Sequence, residues 1–185
     1  MPLLKEKEHY TYADYLEWGE NYRAEIINGE VYEMSPPLTI HQRISMRLSV
    51  KFSTFLKGKT CEVFAAPFGV RLFPEHDQSD DTVLEPDLVV ICDASKIDER
   101  GCNGAPDLVI EILSPSTSNK DKMLKFNLYL EAGVREYWII DPEKRLVQVN
   151  LFEKGHYASS TYGIADAVPV TVLPGLTIDL KTIFP

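Results

Sequence analysis

Glu111 stands inside Leu108-Val109-Ile110-Glu111-Ile112-Leu113, a run whose other members are all apolar. A carboxylate left unpaired in such a strand would cost several kcal/mol, so it calls for a metal ion, a bound proton or a partner lysine or arginine. An edge strand with Glu111 facing water would serve equally. Asp87 follows Pro86 at the mouth of a second apolar run, Leu88 to Cys92. If the two strands are neighbours, both carboxylates can converge on one hard divalent ion such as Mg²⁺, which takes a few carboxylate oxygens, a carbonyl and waters. Otherwise Asp87 merely caps the strand entry. Asp121, Lys125 and Tyr129 recur at i, i+4 and i+8 in a helical stretch and share one face. An Asp121–Lys125 pair at that spacing is an ordinary helix stabiliser. Alternatively the Lys125 ammonium orients water or offsets charge developing on a phosphate.

The elements that must position these groups are legible from periodicity and turn residues. Thr11 is an N-cap for a short helix running toward Glu20. Ala24–Met34 predicts a hairpin around Asn28-Gly29, the pair that best suits a type I′ turn. Thr39 caps a helix to about Lys57, with an apolar stripe of Ile40, Ile44, Leu48, Phe52 and Phe55, and Gly58 ends it. Strands are expected over Glu62–Phe73, Pro86–Cys92 and Pro106–Leu113, joined by polar loops. A helix over Asn119–Ala132, stopped at Gly133, leads to a strand at Glu136–Ile140. From Arg145 onward the pattern is one of added strands, with a Pro174-Gly175 turn.

The chain has 185 residues, enough for one domain with a substantial core. Its formal charge is -9. That excess is local: residues 74–111 carry eleven acids against two bases, while Met34–Cys61 carries five bases and no acid. An acidic centre beside a basic flank suits a cation site next to a polyanion, although an acidic surface loop and a solvated helix face explain the same numbers. Cys61, Cys92 and Cys102 form no CxxC pair, which predicts no disulfide framework and a reducing compartment. The scattered histidines lack zinc spacing. The charged N-terminus and strand-length apolar runs predict a cytoplasmic protein with no membrane partner.

The order helix–strand–strand–strand–helix–strand from Thr39, with an aspartate after proline on one strand and an acid inside the next, resembles the core of PD-(D/E)xK nucleases. More closely, the chain resembles the bacterial Uma family of restriction-endonuclease-like proteins. The resembling stretches are Glu25–Glu30, His41, Glu85–Val90, Gly104–Pro115, the Asp121/Lys125/Tyr129 stripe and Gly133–Pro142. One departure matters: position 113, where the pattern usually has lysine, holds Leu113. The resemblance implies that the lysine has moved to the helix, at Lys125, with Lys122 and Lys120 as nearby substitutes. Pro106-Asp107 also reads as a PD pair, but Asp107 shares a strand with Glu111 and is expected to be structural.

The resemblance implies a single α/β domain over 1–185. Its restriction-endonuclease-like core would carry an N-terminal helix and hairpin and extra C-terminal strands. It further implies a metal-dependent endonuclease that hydrolyses phosphodiester bonds, with DNA the expected polymer and RNA left open. Asp87, Glu111 and the backbone carbonyl of Ile112 would hold Mg²⁺ or Mn²⁺, and Lys125 would act on water or the phosphate. Glu25 enters as an outer ligand or a hairpin surface residue, and His41 as a phosphate contact or a packed side chain. Arg43, Arg47 and Lys51 flank the apolar stripe, where they either contact phosphates or snorkel over the core. A homodimer is expected, since paired sites suit a double-strand cut. The rival readings are a catalytically silent nucleic-acid-binding or assembly module on the same fold and a metallohydrolase of small phosphoesters.

Overall fold

The computed structural model describes residues 7–18, 22–114 and 119–185. Helix α1 (Tyr12–Glu17) begins at Thr11, whose amide donates to the Asp14 carboxylate at 3.0 Å. Strands β1 (Ala24–Ile27) and β2 (Glu30–Glu33) form the expected hairpin. Asn28 and Gly29 both take positive φ, 50° and 79°, as a type I′ turn requires. Helix α2 (Thr39–Leu56) then buries Ile44, Leu48, Phe52 and Leu56. Its N-cap is Leu38, one residue before the expected Thr39.

The expected strand Glu62–Phe73 is two strands in two different sheets, β3 (Glu62–Ala65) and β4 (Gly69–Arg71). Pro67 lies between them and brings no amide to a ladder, so the chain leaves one sheet there and enters the other. The stretches read as polar loops also hold short strands. These are β5 (Val83–Leu84), β7 (Ile97–Asp98) and β8 (Gly101–Asn103), whereas β6 (Leu88–Ile91) lies within the expected strand Pro86–Cys92. Pairs this brief show no periodicity, which is why only β6 was legible. Next come β9 (Leu108–Ile112), α3 (Asn119–Ala132) and β10 (Glu136–Asp141). Gly133, at φ 78°, ends α3 while the Val134 amide returns to the Tyr129 carbonyl. A long hairpin of β11 (Leu146–Glu153) and β12 (His156–Gly163) follows, then the pair β13 (Ala167–Pro169) and β14 (Thr177–Asp179).

Among the described residues the main sheet runs β12-β11-β10-β9-β6-β3. Its strands are antiparallel except for β9 and β10, which pair in parallel across α3. The second sheet runs β2-β1-β5-β4-β8-β7. Strand alternation divides the core between the two faces of the main sheet. Leu88, Val90, Leu108, Ile110 and Trp138 pack on α2 and the C-terminal segment. Val89, Ile91, Val109 and Tyr137 pack toward Leu128 and Tyr129 of α3 and toward Ile27, Val70 and Leu84 of the second sheet. Tyr137 and Trp138 are therefore core residues.

Cys61 and Cys92 are joined in a disulfide, against the expectation of reduced thiols. The register Glu62↔Ile91 sets the residue before β3 opposite the residue after β6, a cross-strand contact that cysteine spacing alone does not reveal. Cys102 is free and buried. No helix among the described residues is long and apolar enough to cross a membrane.

Candidate active site

Odd-numbered residues of β9 face α3, so Glu111 points the same way as Val109. In the ladder Glu111 pairs with Ile139 of β10, so β9 lies inside the sheet and the edge-strand alternative falls away. Lys125 and Tyr129 sit one turn apart on α3 and both reach Glu111 Oε1, Lys125 Nζ at 3.0 Å and the Tyr129 hydroxyl at 2.7 Å. Lys125 Nζ also donates to Glu25 Oε1 at 2.8 Å. Glu25 comes from β1, which is buried along its length, and its side chain is 7% exposed. The reading of Glu25 as a hairpin surface residue is thereby corrected, because the second sheet covers that arm of the hairpin.

Asp87 enters from the mouth of β6. Its Oδ2 accepts the Ile112 amide at 2.7 Å, and its Oδ1 lies 3.0 Å from His41 Nε2 in the first turn of α2. His41 is buried, in keeping with a packed side chain, and it also holds Asp87. Its Nδ1 is buried with no hydrogen-bond partner among the described residues. Amide and carbonyl of one strand residue point to the same side, so the Ile112 carbonyl faces the Asp87 side of β9, while the next amide, Leu113, is spent on Ile140.

The cluster thus holds three carboxyl groups and one ammonium: Glu25 and Glu111 both pair with Lys125, while Asp87, paired with His41, bears on Glu111. Burial, together with Asp87 and Glu25, pushes the Glu111 carboxyl up to about 7 despite Lys125 and Tyr129. Burial alone would favour a neutral amine, but Glu111 and Glu25 hold Lys125 protonated well above the usual lysine value. Burial and the Glu111 charge raise the Tyr129 phenol far above its ordinary range, so it remains a donor. Lys125 is the partner cation that the Glu111 strand demanded, yet the site is still short of positive charge.

Other acids of the 74–111 segment have different partners. Asp80 pairs with Arg71 at 2.8 Å, Glu85 with Arg23 at 2.7 Å and Asp107 with Arg135 at 2.9 Å. Asp107 also accepts the Cys92 amide at 2.8 Å, in keeping with a structural role. Three acids of that segment are thus neutralised by arginines that lie outside it. Arg43, Arg47 and Lys51 lie on α2, which packs on the opposite face of the main sheet from α3. Arg43 is exposed and Lys51 half-buried, while Arg47 donates to the Ile183 carbonyl at 2.9 Å. The side chain of Asp121 lies outside the described residues.

Three supporting residues escaped the sequence reading. The Glu85 amide donates to Glu25 Oε1 at 2.9 Å, and the Glu85 carboxylate is itself held by Tyr15 at 3.1 Å and by Arg23. The signal that could have found them is Glu85 directly before Pro86-Asp87, an acid that must be neutralised if Asp87 is to face a cation.

The donor set suits a hard divalent cation. Lys125 and Tyr129 both bond Glu111 Oε1, which leaves Oε2 for a cation, and the Asp87 charge is felt at Glu111. Two carboxylates and a carbonyl match magnesium or manganese, which keep several waters. Among the described residues no group of three or more His, Cys, Asp or Glu side chains is placed to hold a metal ion, so the candidate ligand set is limited to these two carboxylates and the carbonyl.

Comparison with known proteins agrees with this frame. The family model of Uma2, described as "Putative restriction endonuclease", matches residues 12–181. Two uncharacterised proteins of Synechocystis sp. (strain ATCC 27184 / PCC 6803 / Kazusa) are similar. One, slr1290, is 28% identical over 92% of this chain and 89% of its own length. The other, sll1609, is 28% identical over 71% of this chain and 74% of its own length. A crystal structure from Anabaena variabilis ATCC 29413, titled as a putative nuclease belonging to DUF820, superposes with a TM-score of 0.76 at 24% identity. It covers 95% of this chain and 97% of that one. At that identity the likeness is one of fold, and the fold is restriction-endonuclease-like.

Proposed function

The chain belongs to the Uma2 family, and we propose that it is a metal-dependent endonuclease that hydrolyses phosphodiester bonds, with DNA as substrate. The observation that carries this reading is the charge imbalance of a buried cluster: three carboxyl groups against one ammonium, beside a strand carbonyl. A divalent cation held by Asp87, Glu111 and the Ile112 carbonyl restores that balance. When bound, Mg²⁺ or Mn²⁺ supplies Lewis acidity toward the phosphate and lowers the pKa of water.

The remaining work falls to the chain's own groups. His41 and the Ile112 amide fix the two oxygens of Asp87, so that carboxylate is aimed before any ligand arrives. Glu25 and Glu111 hold the Lys125 ammonium between them, where it can orient water or receive charge that builds at phosphorus. Tyr129 fixes Glu111 by a hydrogen bond on the oxygen already shared with Lys125, leaving the second oxygen for the cation. Two such sites in a homodimer would address both strands of a duplex.

Calorimetric titration with Mn²⁺ tests the metal assignment. Wild-type protein should bind Mn²⁺, and Asp87→Asn and Glu111→Gln should each lose at least tenfold in affinity, since each removes a charged ligand. Wild-type affinity in both variants would remove the basis for the reading.

A further inference from the structure

Beside Glu111, on the α3 face of the main sheet, lies an open cleft of about 550 Å³ that none of the groups above uses. It neighbours the candidate active site: of its lining residues, Leu113 follows Glu111 by two positions in sequence and Ile139 pairs with Glu111 in the ladder. The cleft then crosses β11 to Thr161 on β12, under the Phe126 side of α3. Its volume is in the range that takes a small organic group, roughly 300–1,000 Å³.

The lining has the chemistry of a nucleobase site. Leu113, Ile139 and Leu146 give an apolar floor. Phe126 offers a ring that Tyr157 holds edge-on at a centroid distance of 5.2 Å. Gln148 donates its amide to Asn150 at 2.8 Å, which leaves its carbonyl oxygen to accept from a base. At the rim stand two lysines. Lys144 is paired with Asp141 at 3.1 Å, whereas Lys122, adjacent to the catalytic stretch of α3, makes no ion pair among the described residues.

We infer that this cleft seats the unstacked base next to the cleaved phosphate, with Lys122 on a neighbouring phosphate, so that the protein selects single-stranded DNA or single-stranded flaps over intact duplex. The inference rests on the phosphodiesterase reading and names its substrate class. In a duplex the base faces are covered by their neighbours, and an apolar floor reaches them only when the base is splayed out. A phosphodiester held at Glu111 and Lys125 would lay its adjoining nucleoside over Leu113 and Ile139, because those residues neighbour Glu111 in sequence and in the ladder.

The test reads binding without turnover. Anisotropy of a labelled oligothymidylate and of a duplex of equal length, without divalent cation, should show tighter binding of the single strand. Thr161→Trp, at an exposed position on β12, fills the cleft and should weaken single-strand binding about tenfold, in line with the loss of one stacked base. Lys122→Ala should weaken it and lower its salt dependence. Mn²⁺ calorimetry on the same proteins separates this inference from the function it rests on. If the nuclease reading alone fails, wild type takes up no Mn²⁺ but keeps the single-strand preference. If the cleft is idle, Thr161→Trp binds oligothymidylate like wild type, and that result overturns the inference. So does equal or tighter binding of duplex by wild type, or no binding of either.

Discussion

Glu111 is pushed toward its protonated form by burial and by the neighbouring Asp87 and Glu25, and that shift shapes the pH response of the metal-free protein. Its carboxyl titrates near 4.5 when exposed and near 7 in the fold. Between those values the folded state holds a proton that the unfolded chain has released. The stability it contributes is therefore full below about pH 4.5 and is lost as pH rises through 7, roughly 3 kcal/mol in all. Denaturant melts of the metal-free protein should show that fall, and Glu111→Gln should flatten it and leave the variant more stable than wild type at pH 8. A fall undiminished in the variant would place the titrating group elsewhere. The sequence made much of this legible. Glu111 stood out because every neighbour is apolar, and Asp87 because it opens a second apolar strand. Glu25 and His41 were ambiguous because their surroundings come from remote segments: the second sheet that covers β1, and the Asp87 loop against the first turn of α2. The buttress of Tyr15, Arg23 and Glu85 spans up to 70 residues of sequence, beyond the reach of any local pattern.

Elements with long periodicity were readable, and short ones were not. The apolar stripe of α2 and the alternation around Asn28-Gly29 each specify a single structure, since a shifted register would expose their apolar face. Strands β4, β5, β7 and β8 have two or three residues each, and only pairing with one another makes them a sheet. The same limit hid the disulfide, which depends on the register of β3 against β6. Helix α2 also shows how basic residues divide their roles. Arg47 ties the helix to the C-terminal segment through the Ile183 carbonyl, where Ile183 and Phe184 complete the core under α2. Arg47→Ala should therefore destabilise the fold by about 1 kcal/mol through loss of a charged hydrogen bond and its packed stem. Chemical denaturation measures that, and nucleic-acid affinity should stay unchanged. A variant of wild-type stability with weakened DNA binding would instead assign Arg47 to a phosphate.

Across the whole molecule, two sheets and two helices converge on one small volume. The main sheet contributes Asp87 and Glu111, α3 contributes Lys125 and Tyr129, the second sheet brings Glu25 and α2 brings His41. A cluster of three acids with one lysine is expensive to bury, and the proposed chemistry is what would offset that cost. The lysine is the decisive member, because the position two residues after Glu111 holds Leu113 and the ammonium arrives from α3 instead. A charge aimed at developing negative charge is worth a few kcal/mol of barrier, or roughly a hundredfold or more in rate. The most direct measurement is Mn²⁺-dependent nicking of supercoiled plasmid by wild type and by Lys125→Ala, with Mn²⁺ affinity measured on both. The account predicts metal-dependent nicking by wild type and a loss of at least a hundredfold in Lys125→Ala, whose Mn²⁺ affinity and fold are retained. Equal nicking rates in the two proteins, or no metal-dependent cleavage by wild type, would contradict it.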